Sequence, residues 1–127
     1  MDNISMLISG MIVGVIVFQT AIIAPTVFTS LSGADSSLFL RKVFPRFFVL
    51  LAALGATANI AAIVTHDWSA IAISGTTVAL AVIAYLLIPM TNKSRDGGND
   101  KAFKRLHLVS VLLTLSMLAI NIASIVA

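Results

Sequence analysis

His66 and His107 are the residues best suited to acid–base work or metal ligation, because imidazole titrates near neutrality and binds metals readily. They do not pair. His66 stands beside Asp67 in a short polar interruption, Thr65-His66-Asp67-Trp68, and His107 opens the last apolar stretch behind Lys104-Arg105. If each intervening helix crosses a bilayer, the two are roughly 25–30 Å apart. They cannot share one metal or one haem. Either by itself is a candidate axial ligand, His107 being the one carried forward, and the competing role of His107 is an interfacial residue bonded to a loop carbonyl. All five acidic residues are Asp, and none falls within an apolar stretch. No carboxylate pair is available for acid–base catalysis, and the carboxylates that usually carry protons across membranes are missing. The absence of cysteine removes disulfides, thiolate metal sites and thiol nucleophiles. No Ser/His/Asp arrangement can be drawn. The expectation is a protein that is not an enzyme and holds no cofactor or metal.

Neutral polar groups are the next candidates. His107, Ser110, Thr114, Met117, Asn121 and Ser124 recur at three and four residues, giving one polar stripe on a helix. Asn59, Ser74 and Asn121 each fall near the same end of their apolar stretches and could form a hydrogen-bonded layer, with Gln19 a further buried amide. Such a layer is either a path for a small solute or ion or interhelical glue at about 1 kcal/mol per contact. Small residues mark where backbones could approach. Gly10 and Gly14 form a GxxxG, read as packing within the chain. Ala52, Gly55, Asn59, Ala62 and His66 make a second stripe, and Ala72, Thr76 and Ala79, with Gly75 beside them, a third.

The elements that carry these groups are set by hydropathy. Mean hydropathy is +1.07, with 59% hydrophobic and 10% charged residues, against roughly 25% charge in soluble domains. Four stretches, residues 4–29, 44–64, 69–89 and 106–126, each approach the ~20 residues needed to cross a bilayer core. The fold class expected is all-α, an integral membrane four-helix bundle, with residues 1–127 as one transmembrane domain. All eight Lys and Arg fall in two connections: Arg41, Lys42 and Arg46, then Lys93, Arg95, Lys101, Lys104 and Arg105. Basic residues are retained in the cytoplasm, so these connections are expected inside and both termini outside. The first stretch lacks a basic lead (Asp2 and Asn3 precede it) and a cleavage site, so it is expected to persist as a span.

Residues 30–43 read as a turn and then a short interfacial helix capped by Ser36 or Ser37. Residues 65–68 read as a tight turn, and 91–102, with Asp96-Gly97-Gly98-Asn99-Asp100, as a flexible loop. Pro45 suits a first helical turn, whereas Pro25 should bend or end its helix. Phe28, Phe39, Phe44, Phe47, Phe48 and Phe103 gather at the basic interface, and Trp68 marks the opposite one. A pI near 9.8 points here to anionic headgroups, not nucleic acid, because the cations flank spans at one interface.

Three segments resemble the transmembrane-protein-205-like family of small four-span membrane proteins with a domain of unknown function. They are Ala24-Pro25-Thr26-Val27-Phe28, Val43-Phe44-Pro45-Arg46-Phe47-Phe48 and Phe103-Lys104-Arg105-Leu106-His107-Leu108-Val109-Ser110. The resemblance carries over Pro25, Phe28, Pro45, Arg46 and His107 and implies no established catalytic activity. The function expected is a non-catalytic accessory or structural subunit of a larger membrane complex, in contact with lipid and other integral membrane subunits. The alternatives are a small-solute or ion permeability protein using Gln19, Asn59, Ser74 and Asn121, and a haem- or metal-binding redox protein using His107. The location expected is a prokaryotic plasma membrane, multi-pass.

Overall fold

In an apolar medium every backbone N–H and C=O must find a partner within its own segment, so long apolar runs fold as helix. The computed structural model describes residues 3–127; Asp2, read above with Asn3 as the lead of the first span, lies outside the described residues. Its elements are α1 (Asn3–Val17), a π-helical segment (Phe18–Ile23), α2 (Ala24–Ser30), α3 (Gly33–Val64), α4 (Trp68–Asp96) and α5 (Asp100–Val126). The first three run on as one rod, so four helical rods are long and apolar enough to cross a membrane. Successive rods are antiparallel neighbours and α5 also packs on α1, which closes a ring.

The core of this ring is built from Ile8, Ile12 and Ile16 of α1, Phe47, Phe48, Leu51 and Ala58 of α3, Ala81 and Ala84 of α4, and Met117 of α5. On α4 the buried residues are Ala70, Ser74, Thr77, Ala81 and Ala84, a strict alternation of four and three that lets a helix keep one seam toward its neighbours. The stripe expected at Ala72, Thr76 and Ala79 instead faces outward. Apolar residues clothe α4 on every side, so small size alone did not identify the packed face. On α3 the expected stripe is largely right: Gly55 and Ala62 are buried, Ala52 and Asn59 half-buried, and His66 exposed. A Cβ on Gly55 would stand 2.9 Å from Val78 Cγ2 and 3.4 Å from the Ser74 carbonyl oxygen. Glycine is what allows α3 and α4 to approach this closely.

Two three-residue turns join α3 to α4 and α4 to α5, and they share one construction. At the first, the His66 N–H donates to the Ile63 carbonyl at 3.2 Å and the Asp67 N–H to the Ala62 carbonyl at 3.0 Å. This is a Schellman closure, which needs a left-handed residue; His66 takes that position with φ 55°. Asp67 then caps α4, its carboxylate accepting from the Ala70 N–H at 3.1 Å. At the second turn Gly98 is the left-handed residue, φ 72°. The Gly98 and Asn99 N–H groups donate back to the Arg95 and Ser94 carbonyls, and the Asn99 side chain caps α5 by accepting from the Ala102 N–H. The loop expected to be flexible over residues 91–102 is therefore only Gly97-Gly98-Asn99, between two helices that run to its edges.

The other connection also differs from expectation. No separate interfacial helix forms. Ser32 caps α3, accepting from the Asp35 N–H at 3.3 Å, and the helix continues without a break through Pro45, which is interior and not in a first turn. Ser36 is buried and donates to the carbonyls of Val27 and Leu31, tying the start of α3 to α2. Pro25 does not end the first rod. Ahead of it the helix widens into the π segment, where the Ala24 N–H donates to the Gln19 carbonyl. The wider turn absorbs the missing proline N–H and the helix continues to Ser30. Helices of 32 and 29 residues exceed the length needed to cross ~30 Å at 1.5 Å per residue. Their charged ends thus project beyond the apolar stretches.

Candidate functional site

Several buried polar side chains, among them Ser9, Ser74, Thr77 and Asn121, lie toward the end of the ring that holds the 65–68 turn. Asn59 of α3 donates through Nδ2 to Ser74 Oγ of α4 at 3.1 Å and to the Ile71 carbonyl at 3.1 Å. Asn121 of α5, only 1% exposed, donates to Thr77 Oγ1 of α4 at 3.0 Å and to the Met117 carbonyl at 2.8 Å. The Ser124 hydroxyl lies 3.3 Å from that of Ser9 on α1. Together these contacts form a polar belt that crosses the α3–α4, α4–α5 and α5–α1 seams in turn. Ser74 and Thr77 each also donate to their own helix, at the Ala70 and Ile73 carbonyls, so each hydroxyl serves as donor and acceptor at once.

Of the residues expected in one layer, the structure brings together Asn59 with Ser74, and places Asn121 one turn along with Thr77. It leaves Gln19 out. Gln19 is buried at the start of the π segment and its Nε2 has no hydrogen-bond partner among the described residues. Thr77 and Ser9 are the members that sequence reasoning missed. The signal available for Thr77 was its spacing: it lies three residues after Ser74, on the same face.

Gly10 and Gly14 reverse the expectation placed on them. Both are exposed, and a Cβ added to either meets nothing within 4 Å. The packed face of α1 is Ser5, Ile8, Ser9, Ile12 and Ile16. Gly10 and Gly14 each lie two residues from Ile12, about 200° around the helix at 3.6 residues per turn, and so point away from the bundle. Gly10 forms part of a shallow apolar groove with Asn3, Met6, Leu7, Met11 and Ile125.

At the basic end, Arg41 and Asp96 form an ion pair joining α3 to α4, with Nη1 donating to Oδ2 at 3.0 Å. Both lie past the apolar stretches, and the hydrogen bond to Arg41 holds the Asp96 carboxyl below the usual carboxylate range. Arg95 sits over the Phe103 ring at 5.1 Å, and that ring stacks on His107 at 5.9 Å between centroids. His107 is thus an exposed ring in an aromatic stack. Among the described residues no group of three or more His or Asp is arranged to hold a metal ion.

The remaining residues of the three family-like segments occupy this same end without forming one cluster. Pro25 and Phe28 are exposed on the first rod, and Arg46 is exposed beside half-buried Pro45. Phe47 and Phe48 are buried and pack with Phe44 in a cluster with centroid distances of 5.1–6.4 Å.

This four-rod chain agrees over residues 7–125 with the family model of DUF4149, a domain of unknown function. The chain belongs to that family. The match takes in all four rods, both turns and the polar belt, so the bundle as a whole is the family's domain. No match was found among curated proteins or among solved structures.

Proposed function

We propose that this chain is a non-catalytic accessory subunit that packs against a larger integral membrane partner through the outward face of α1. The observation that carries this reading is the open Gly10–Gly14 face. Glycine in a helix costs about 1 kcal/mol relative to alanine, and neither glycine recovers that cost within the bundle. Small residues in membrane helices recover it when a second helix seats closely against them. The groove continuing to Ile125 widens the surface such a helix would meet. The polar belt supports the same reading from the other side: its amide N–H groups are taken up by contacts within and between helices, as interhelical glue requires.

The reading includes the transmembrane-protein-205-like resemblance, both termini outside, and a prokaryotic plasma membrane as the location. Anionic headgroups meet the basic, cytoplasmic end. Co-purification from native membranes in mild detergent tests it. The partner should be retained by the wild-type chain and lost on Gly10→Leu with Gly14→Leu, with the isolated bundle equally stable in both. A wild-type chain that runs alone as a monomer would end the proposal.

A permeability role keeps one supporting observation, the unpartnered buried amide of Gln19 beside the π segment, since π turns are frequent at functional sites. Flux into liposomes, abolished by Gln19→Leu, is the result this second reading requires.

A further inference from the structure

A second groove opens on the outer wall of the bundle, between α3 and α4 and near the basic end. Pro45, Arg46, Val49, Leu50 and Ala53 of α3 form one side, and Tyr85 of α4 the other. We propose that it is a specific site for one phospholipid with an anionic headgroup. Arg46, with Lys42, holds the phosphate, and an acyl chain lies along Val49, Leu50 and Ala53.

The order of chemistry along α3 carries the argument. Lys42, Arg46, Val49, Leu50 and Ala53 follow one another at helical spacing, so they share a face. That face changes from cationic to apolar over the roughly 10 Å from Arg46 to Ala53, which is the polarity order of a lipid from phosphate to chain. Among the described residues the hydrogen bond of the Arg46 side chain is Nη1 donating to the Lys42 carbonyl at 2.9 Å, which leaves most of the guanidinium fork available. Of the carboxylates at this end, Asp96 is paired with Arg41. Guanidinium is planar and weakly hydrated, and so binds phosphate oxygens in pairs better than an ammonium does.

The groove walls suit a chain. Ala53 is small and exposed, giving depth between Leu50 and Tyr85. The Tyr85 ring is 44% exposed and its hydroxyl has no partner among the described residues; tyrosine is favoured where one end of a site is apolar and the other wet. The other groove, at Gly10, is lined among the described residues by Asn3 and apolar side chains without a cation, so the two surfaces are chemically distinct. The lipid site stands whether or not a partner docks on α1.

Native mass spectrometry of the full chain tests this, using an equal mixture of phosphatidylglycerol and phosphatidylcholine with matched chains. The expected spectrum shows one phosphatidylglycerol retained per chain and little phosphatidylcholine. Arg46→Ala should lower retention about ten-fold, and Ala53→Phe, which fills the groove from its exposed side, should abolish it. Arg105→Ala, a cation of the same end that does not line the groove, should leave it unchanged. Arg46 and Ala53 are both exposed, so neither change removes a core contact, and helical circular dichroism should be the same for all variants. Equal retention of the two lipids would overturn the proposal. So would an equal effect of Arg46→Ala and Arg105→Ala, no effect of Ala53→Phe, or a second copy of the chain bound in place of lipid.

Discussion

The amide of Asn121 is buried in a helix that offers it one carbonyl, from Met117, so its other N–H depends on a neighbour, and Thr77 supplies it. Interhelical bonds of this kind contribute about 0.6–1 kcal/mol in membranes, because the separated helices also find partners. A double-mutant cycle of Asn121→Leu and Thr77→Val in reversible unfolding should return a coupling in that range. Zero coupling would mean that the belt is incidental to the bundle. His66 is a residue whose chemistry misleads. Its imidazole invited a reading as ligand or base, yet its backbone closes the end of α3 at positive φ. His66→Gly should keep or raise the melting temperature, whereas His66→Val should destabilise by roughly 1–2 kcal/mol, since a β-branched side chain is strained in that conformation. If both changes are neutral, the turn is not under the constraint described.

Helix faces were the least legible feature of the sequence, and the reason is the solvent. In water the buried face of a helix is the apolar one; in lipid both faces are apolar, so hydropathy locates the rods and says little about their rotation. On α5 polar residues were the better guide, whereas exposed Thr57, Thr76 and Ser116 each donate to a carbonyl of their own helix and mark no seam. Ser110, Thr114, Asn121 and Ser124 all turn inward or sit at a seam, as their spacing implies. The glycines split. Gly55 is packed against α4 while Gly10 and Gly14 are open, a difference that no local signal marks. Gly55→Leu should therefore lower bundle stability by about 1–3 kcal/mol through overpacking, read as a drop in melting temperature in detergent, whereas Gly10→Leu and Gly14→Leu should not. Helix ends were legible at the 65–68 turn, where polar residues interrupt two apolar runs. They were misjudged at residues 91–102, where two adjacent glycines read as slack although one of them closes a helix and the next residue caps another. Pro45 likewise read as a helix edge, yet it is interior.

At the scale of the whole molecule, charge and architecture divide the bundle into two unlike ends. One holds every Lys and Arg, the Arg41–Asp96 pair and the aromatic stack; the other holds the polar belt and the exposed Trp68. The proposed orientation is directly measurable because the chain has no cysteine of its own. An impermeant thiol reagent applied to intact cells should label Ala127→Cys at once and Ser30→Cys only after the membrane is opened. The reverse order would invert the orientation. Four spans, their order and the segregation of charge could all be read from the sequence; the closing of the ring by α5 on α1 could not, because no local pattern names a helix's second neighbour. The three-residue turns also bear on how the protein is made. Helices joined by only Thr65, His66 and Asp67 leave no slack between them. We expect α3 and α4 to enter the membrane as one hairpin, so a nascent chain arrested at Val64 should leave α3 uninserted; a protease-protected α3 in such a chain would overturn this.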